Sequence, residues 1–95
     1  MKTKDEYIAS LNSELKEWSA QIDVLTARTD NAAAELKLKY ADELDGLRAK
    51  LHKAAEQLKE LEAASGDAWE IVKETADKVW HDLRTGFSNA ATKFN

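Results

Sequence analysis

The sequence predicts an all-α protein: a long heptad-patterned helix, a tight turn and a shorter amphipathic helix, as in a helical hairpin or coiled coil. Three observations predict this fold class. The 95 residues are 34% charged and include no Pro or Cys, and abundant Ala, Leu, Lys and Glu are typical of long helices. Apolar residues recur in steps of three and four. One Ser-Gly-Asp turn sequence, at residues 65–67, separates two such stripes. The chain is predicted to be one domain, 1–95.

The first helix is predicted to span about residues 4–64. Thr3 and Glu6 form a T-x-x-E capping box, in which the two side chains satisfy amide groups of the first turn. A heptad seam follows, and it continues to Leu61 with one phase shift between Leu36 and Leu44. Its members are Ile8, Leu11, Leu15, Trp18, Ile22, Leu25, Thr29, Ala32, Leu36, Tyr40, Leu44, Leu47, Leu51, Ala54, Leu58 and Leu61.

A turn near residues 29–31 is the alternative to this continuous helix. Thr29, Asp30 and Asn31 are residue types that favour caps and turns. No Gly or Pro lies within ten residues, however, and three alanines follow Asn31, which favours helix. The continuous helix is therefore preferred. The alternative chain path is a three-helix up-down-up bundle.

The second helix is predicted to span about residues 68–94, after a turn at 65–67. Gly66 supplies a residue that accepts positive φ, and Asp67 with Glu70 forms an acidic N-cap. An eleven-residue repeat keeps the apolar stripe nearly straight along this helix. The predicted amphipathic face, which packs on the first helix, consists of Trp69, Val72, Ala76, Trp80, Leu83, Phe87, Ala91 and Phe94.

The two predicted helices differ in length, and this difference predicts a partner. At 1.5 Å per residue the first helix is about 90 Å long and the second about 40 Å. The amino-terminal half of the seam would then remain exposed, which is more apolar surface than a monomer usually shows. We therefore expect a homo-oligomer, most simply a dimer, or a protein partner bound to the same seam. The predicted interface consists of Tyr7, Ile8, Leu11, Leu15, Trp18, Ile22 and Leu25.

No pattern in the sequence indicates catalytic, cofactor-binding or metal-binding residues. His52 and His81 lack the Glu-x-x-His spacing of carboxylate-bridged metal bundles, and there is no Cys to act as nucleophile or thiolate ligand. We therefore expect a protein that is not an enzyme. The net charge of −4 without a basic segment argues against nucleic acid as a partner. Without a signal peptide or transmembrane segment, the expected location is the cytoplasm.

Four segments resemble a group of small bacterial proteins described as coiled-coil domain-containing. The resemblance covers nearly the whole chain, and the Ser-Gly-Asp-Ala-Trp turn is its most specific part. It implies cytoplasmic, all-helical proteins without an assigned enzyme activity, some of them associated with stress responses. The segments are Lys4-Asp5-Glu6-Tyr7-Ile8, Leu15-Lys16-Glu17-Trp18, residues 58–64 and Ala64-Ser65-Gly66-Asp67-Ala68-Trp69-Glu70.

Two functions follow as expectations. The first is a non-enzymatic structural or interaction protein that self-associates, in bacterial stress physiology. The second is a membrane-surface or stress-protective protein that uses the amphipathic helix at residues 68–94. The polar face of that helix gives no net attraction to anionic lipid, since its acidic residues outnumber its basic ones. The interaction protein is therefore the preferred hypothesis.

Overall fold

Three α-helices account for nearly all of the computed structural model, which describes residues 3–93. They are α1 (Lys4–Asp30), α2 (Ala34–Ala63) and α3 (Ala68–Lys93), and no strand occurs within the described range. The all-α prediction is thus confirmed. Phe94, predicted as part of the amphipathic face, lies outside the described residues. The described part of the chain measures 52 × 19 × 17 Å.

The prediction of a single long helix over residues 4–64 is wrong, because the chain turns at residues 31–33. Asn31 donates both its backbone N–H and its side-chain amide to the carbonyl of Ala27, at 3.1 and 3.0 Å. Ala33 then adopts an extended conformation, with φ −59° and ψ 149°, which interrupts the helix. The structure thus fits the alternative fold, a three-helix bundle, with its turn two residues beyond the predicted 29–31.

The physical reason for this turn is the burial that it permits. A break in a helix gives up a few backbone hydrogen bonds, each with a net contribution of about 1 kcal/mol. Folding α2 back along α1 and bringing α3 beside both buries large apolar side chains, each worth about 1.5–3 kcal/mol. Seven apolar residues of α1 lie in or against the resulting core. Tertiary packing therefore outweighs the helix propensity of the three alanines.

The three helices run up, down and up, so that α1 and α3 are parallel neighbours. At one end of the bundle, the Lys4 ammonium donates to the carbonyl of Ala64, where α2 ends. At the other end, Lys93 pairs with Glu43 at 2.7 Å. Contacts between side chains about seventy residues apart in sequence set the register of α1 and α3. One of these contacts is the Arg84–Glu14 ion pair, at 2.8 Å.

The helix ends show which of the predicted caps form. The Thr3 hydroxyl accepts the backbone N–H of Glu6 at 3.2 Å, and α1 begins at Lys4. Gly66 has φ +60°, the left-handed conformation that glycine adopts most readily. The side-chain bonds predicted for Asp67 and Glu70 are not found within residues 3–93. Instead the Glu70 N–H donates to the backbone carbonyl of Asp67 at 3.2 Å. A backbone turn therefore starts α3.

One continuous core fills the space between the helices. Its most deeply buried large side chains are Trp80, Leu61 and Leu83, each less than 2% exposed. The predicted heptad seam supplies the α1 and α2 sides of this core, and the predicted amphipathic face supplies the α3 side. The buried apolar residues are Leu11, Trp18, Ile22, Leu25, Leu44, Leu47, Ala54, Leu58, Leu61, Ala76, Trp80, Leu83, Phe87 and Ala90.

Gly46 lies inside α2 with open space around it, and replacing it should stabilise the protein. A Cβ atom built at Gly46 has no heavy atom within 4 Å. We expect Gly46→Ala to raise the free energy of unfolding by about 0.5–1 kcal/mol, because glycine is entropically unfavourable inside a helix. Urea denaturation measures the change. Gly66→Ala is the control and should destabilise, because its φ is positive. A loss of stability in Gly46→Ala would contradict the open site.

Candidate functional site

The seven residues predicted as a partner interface lie within the chain's own core. Leu11, Trp18, Ile22 and Leu25 are buried, and Tyr7, Ile8 and Leu15 are half-buried against them. The prediction of an exposed seam is therefore wrong. It depended on one 90 Å helix, and the turn at residues 31–33 removes that premise.

The amphipathic face predicted for α3 is likewise turned inward. Ala76, Trp80, Leu83 and Phe87 are buried, whereas Trp69 and Val72 are half-buried. Ala91 is exposed. A membrane surface could reach most of this face only if α3 left the bundle. No helix within residues 3–93 is both long and apolar enough to cross a membrane.

Three aromatic side chains form the centre of the core. The ring of Trp18 stacks on that of Phe87, with centroids 5.6 Å apart and an interplanar angle of 13°. Trp18 also meets Trp80 in a tilted arrangement at 6.4 Å. Such pairs add about 0.5–1.5 kcal/mol beyond the burial of their area. This cluster joins α1 to α3, and its position gives it a structural role.

A polar cluster joins the same two helices nearer the start of α1. The Tyr7 hydroxyl donates to the carboxylate of Asp77, and the Lys73 ammonium lies 5.2 Å from the centre of the Tyr7 ring. Trp69 packs beside this ring at 6.5 Å. Burial, followed by the hydrogen bond to Asp77, raises the pKa of Tyr7 above its ordinary value. Heptad analysis placed Tyr7 in an apolar interface and missed this polar role of its hydroxyl.

The raised pKa of Tyr7 predicts a loss of stability in alkaline solution. The unfolded chain releases the phenol proton near pH 10, whereas the folded chain holds it to higher pH. Deprotonation above about pH 10 therefore favours the unfolded chain. We expect the urea midpoint of the wild type to fall more between about pH 8 and about pH 10.5 than that of Tyr7→Phe, which has no phenol. Equal decreases in the two proteins would contradict this assignment.

An apolar surface lies exposed at the end of the bundle where α1 turns into α2. Because Lys93 at the end of α3 pairs with Glu43, residues 34–42 of α2 extend past α3. Two adjoining grooves, of about 530 and 260 Å³, share Val24 and Arg28. We call them together the open-end groove. Its lining residues are Gln21, Val24, Leu25, Ala27, Arg28, Asn31, Ala32, Leu36, Tyr40, Phe87 and Ala91.

Two large apolar side chains in the open-end groove are exposed, as Leu38 and Ile71 are elsewhere on the surface. Val24 is 56% exposed and Leu36 is 42% exposed. Both residues lie on helices whose other faces pack in the core. The formation of these helices therefore does not itself require Val24 and Leu36 to be exposed. Apolar side chains predominate in the lining of the groove, and the polar residues among them are Gln21, Arg28, Asn31 and Tyr40. Its chemistry suits the docking of an apolar helix face.

Other chemistry within the described range is limited. His52 pairs with Glu56 at 2.9 Å on the surface of α2. Among residues 3–93 there is no group of three or more His, Cys, Asp or Glu side chains placed to hold a metal ion. The ion pairs found within residues 3–93 lie on the surface, and some of them, such as Lys50–Asp82, join two helices.

Comparison with known proteins identifies no similar family, protein or structure. No family model matches the chain, and neither the curated proteins nor the solved structures include one with significant similarity. The resemblance to small bacterial coiled-coil proteins therefore stays a prediction from the sequence segments that carry it.

Proposed function

We propose that this protein is a non-enzymatic helical interaction protein that self-associates through the open-end groove. The observation that carries the proposal is the exposure of Val24 and Leu36 where α1 and α2 extend past α3. Apolar side chains grouped in a groove are typical of protein interaction sites. A second copy of the chain is the occupant that we propose.

The geometry of the open end supports a second copy. Two helices packed as a pair leave one side of their shared apolar seam uncovered, and along most of the bundle α3 covers it. At the open end, within residues 3–93, α1 and α2 continue past the last described residue of α3. Two such ends facing each other bring four helices together, which is a stable way to bury narrow apolar stripes. The contact would be isologous, with the same patch used on both copies.

The charge at the open end also supports self-association. Residues 21–42 include three basic and four acidic side chains, so their net charge is −1, against −4 for the whole chain. Arg28 lines the groove and makes no ion pair within residues 3–93. Carboxylates at the same end of the bundle, such as that of Asp30, are available in a second copy to pair with Arg28. The net charge per residue at this end is about the same as in the rest of the chain, and both signs of charge are present to pair between copies.

A bacterial stress response is the physiological setting that we propose, and it rests on the sequence resemblance alone. The resemblance also implies a cytoplasmic protein. Self-association through a small groove suits a reversible interaction rather than a permanent assembly, since stable interfaces bury about 1,200–2,000 Å². The protein would then change its oligomeric state with its concentration in the cell.

Leu36→Glu tests the proposed surface. A carboxylate in the open-end groove must lose its hydration when a second copy docks, so we expect the variant to stay monomeric where the wild type self-associates. Sedimentation equilibrium from about 10 µM to about 1 mM covers the affinities expected of weak complexes. Circular dichroism should show unchanged helix content, because Leu36 is exposed.

Leu38→Glu is the matched control. Leu38 lies two residues away on α2 and is 75% exposed, but it does not line the groove. This variant should associate like the wild type. A wild type that stays monomeric throughout the concentration range would overturn the proposal, as would equal losses of association in the two variants.

A further inference from the structure

A second surface feature, away from the open-end groove, concentrates positive charge. A cleft of about 210 Å³ lies between α2 and α3, and we call it the lysine cleft. Its lining residues are Lys50, Lys53, Lys78, Val79 and Asp82. Three ammonium groups face one carboxylate there, so the local charge is +2 in a chain whose net charge is −4. Neither helix by itself contributes all three lysines.

The protein neutralises little of this charge. The Lys50 ammonium lies 3.7 Å from a carboxylate oxygen of Asp82, and both side chains are substantially exposed. An exposed pair of this kind is weak. Lys53 and Lys78 make no ion pair and no hydrogen bond within residues 3–93. Two of the three ammonium groups are thus available to an anion from solution.

Gly86 in α3 gives Lys50 the space for its position. A Cβ atom built at Gly86 would lie 3.2 Å from the Lys50 ammonium and 3.5 Å from its Cδ. The glycine therefore lets the Lys50 side chain extend closely across α3. Glycine inside a helix is otherwise unfavourable. Here its lack of a side chain permits the close approach of the Lys50 side chain to α3. The ion pair with Asp82 places the Lys50 ammonium at the edge of the cleft, and the absence of a side chain at Gly86 permits this position.

We propose that the lysine cleft binds a small phosphate-type dianion, such as inorganic phosphate or a phosphate monoester. Lysine is a common phosphate ligand because its ammonium is a compact charge with three donors. The cleft is large enough for one phosphate group and its hydration. Bringing an anion between three ammonium groups also relieves their mutual repulsion.

The surroundings of the cleft favour a small anion over an extended anionic surface. Glu56 and Glu74 are exposed and lie one helical turn from Lys53 and Lys78 on the same helices. Residues at this spacing share a helix face. A membrane of anionic lipid would therefore meet these carboxylates together with the lysines, whereas a single phosphate group in the cleft meets three lysines and one carboxylate, that of Asp82.

Titration of the full-length protein with inorganic phosphate, at constant ionic strength set by sodium chloride, tests the proposal. Amide chemical shifts report the site. We expect saturable shifts at residues 50–53 and 78–82, and about tenfold weaker binding in Lys53→Gln and in Lys78→Gln, each of which lacks one charged donor. Lys16→Gln and Lys37→Gln remove the same charge from exposed sites outside the cleft and should bind like the wild type.

Three results would overturn the proposal. The first is a titration of the wild type without saturable shifts. The second is an equal effect of the cleft and control substitutions, which would indicate a response to net charge only. The third is binding to phosphatidylcholine vesicles that contain phosphatidic acid without any response to free phosphate. Leu36→Glu leaves the cleft intact and should bind phosphate normally, so this test is independent of self-association.

Discussion

Trp18→Ala is expected to lower the free energy of unfolding by about 3–5 kcal/mol, the range for truncating a buried aromatic side chain. The Trp18 side chain is only 7% exposed, and it contacts both Phe87 and Trp80. Its removal leaves a cavity between α1 and α3 and removes the aromatic contacts that join the two helices in the core. Urea denaturation followed by circular dichroism measures the change.

Trp18→Phe is the control for the position. It keeps an aromatic ring against Phe87, so we expect it to lose less than half of the stability that Trp18→Ala loses. Sedimentation of the folded fraction should show the same oligomeric mass for the wild type and both variants, because Trp18 is internal. A Trp18→Ala variant of wild-type stability that has lost self-association would mean that Trp18 is an interface residue and that the packing described here is wrong.

Trp80→Ala should lower the free energy of unfolding by a similar amount, about 3–5 kcal/mol. Trp80 is 1% exposed and is among the largest side chains in the core. Its indole Nε1 is buried and has no hydrogen-bond partner among residues 3–93. The apolar area of the ring therefore supplies the stabilisation, and the N–H reduces it.

Trp80→Phe separates these two contributions. It removes the unpartnered donor, whose burial costs about 1–3 kcal/mol, and leaves a smaller cavity than alanine does. We expect its free energy of unfolding to stay close to that of the wild type, measured by urea denaturation as for Trp80→Ala. Equal losses for Trp80→Phe and Trp80→Ala would show that the N–H is satisfied in solution.

Local sequence signals located both ends of the molecule's last turn and the start of its first helix. The T-x-x-E pattern at Thr3 marks the first residue of α1, because capping depends on atoms only three residues apart. Gly66 marks the turn before α3 for the same kind of reason, since positive φ is a property of one residue. The apolar face of α3 from Ala76 to Phe87 was also predictable from its period.

The turn at residues 31–33 could not be assigned from such signals. Thr29 occupies a seam position both in a continuous helix and in a helix that ends one residue later, so the heptad pattern is the same in either case. Alanines 32–34 favour helix locally. Whether the helix continues or ends depends on whether its apolar seam is buried against the same chain or against another chain. Only the tertiary contacts of the two arrangements distinguish them.

The open-end groove and the lysine cleft could not be predicted from the sequence either, because each is formed by residues of different helices. Val24 is outside the heptad seam, and it meets Leu36 only because α2 turns back along α1. Likewise Lys50 and Lys78 are far apart in the chain and share a cleft because α2 and α3 are antiparallel neighbours. Sequence patterns report neighbours within one helix, whereas these surfaces are made by two or three.

By itself, the amino-acid sequence determined that the chain is helical, where α1 begins, where α3 begins and which faces are apolar. These properties depend on backbone propensity, capping and periodicity, all of which act over a few residues. Only the tertiary structure decided that the chain folds as three helices and that the seam of α1 is internal. That decision belongs to long-range packing, because the burial of whole apolar faces exceeds the small local preferences that oppose a turn.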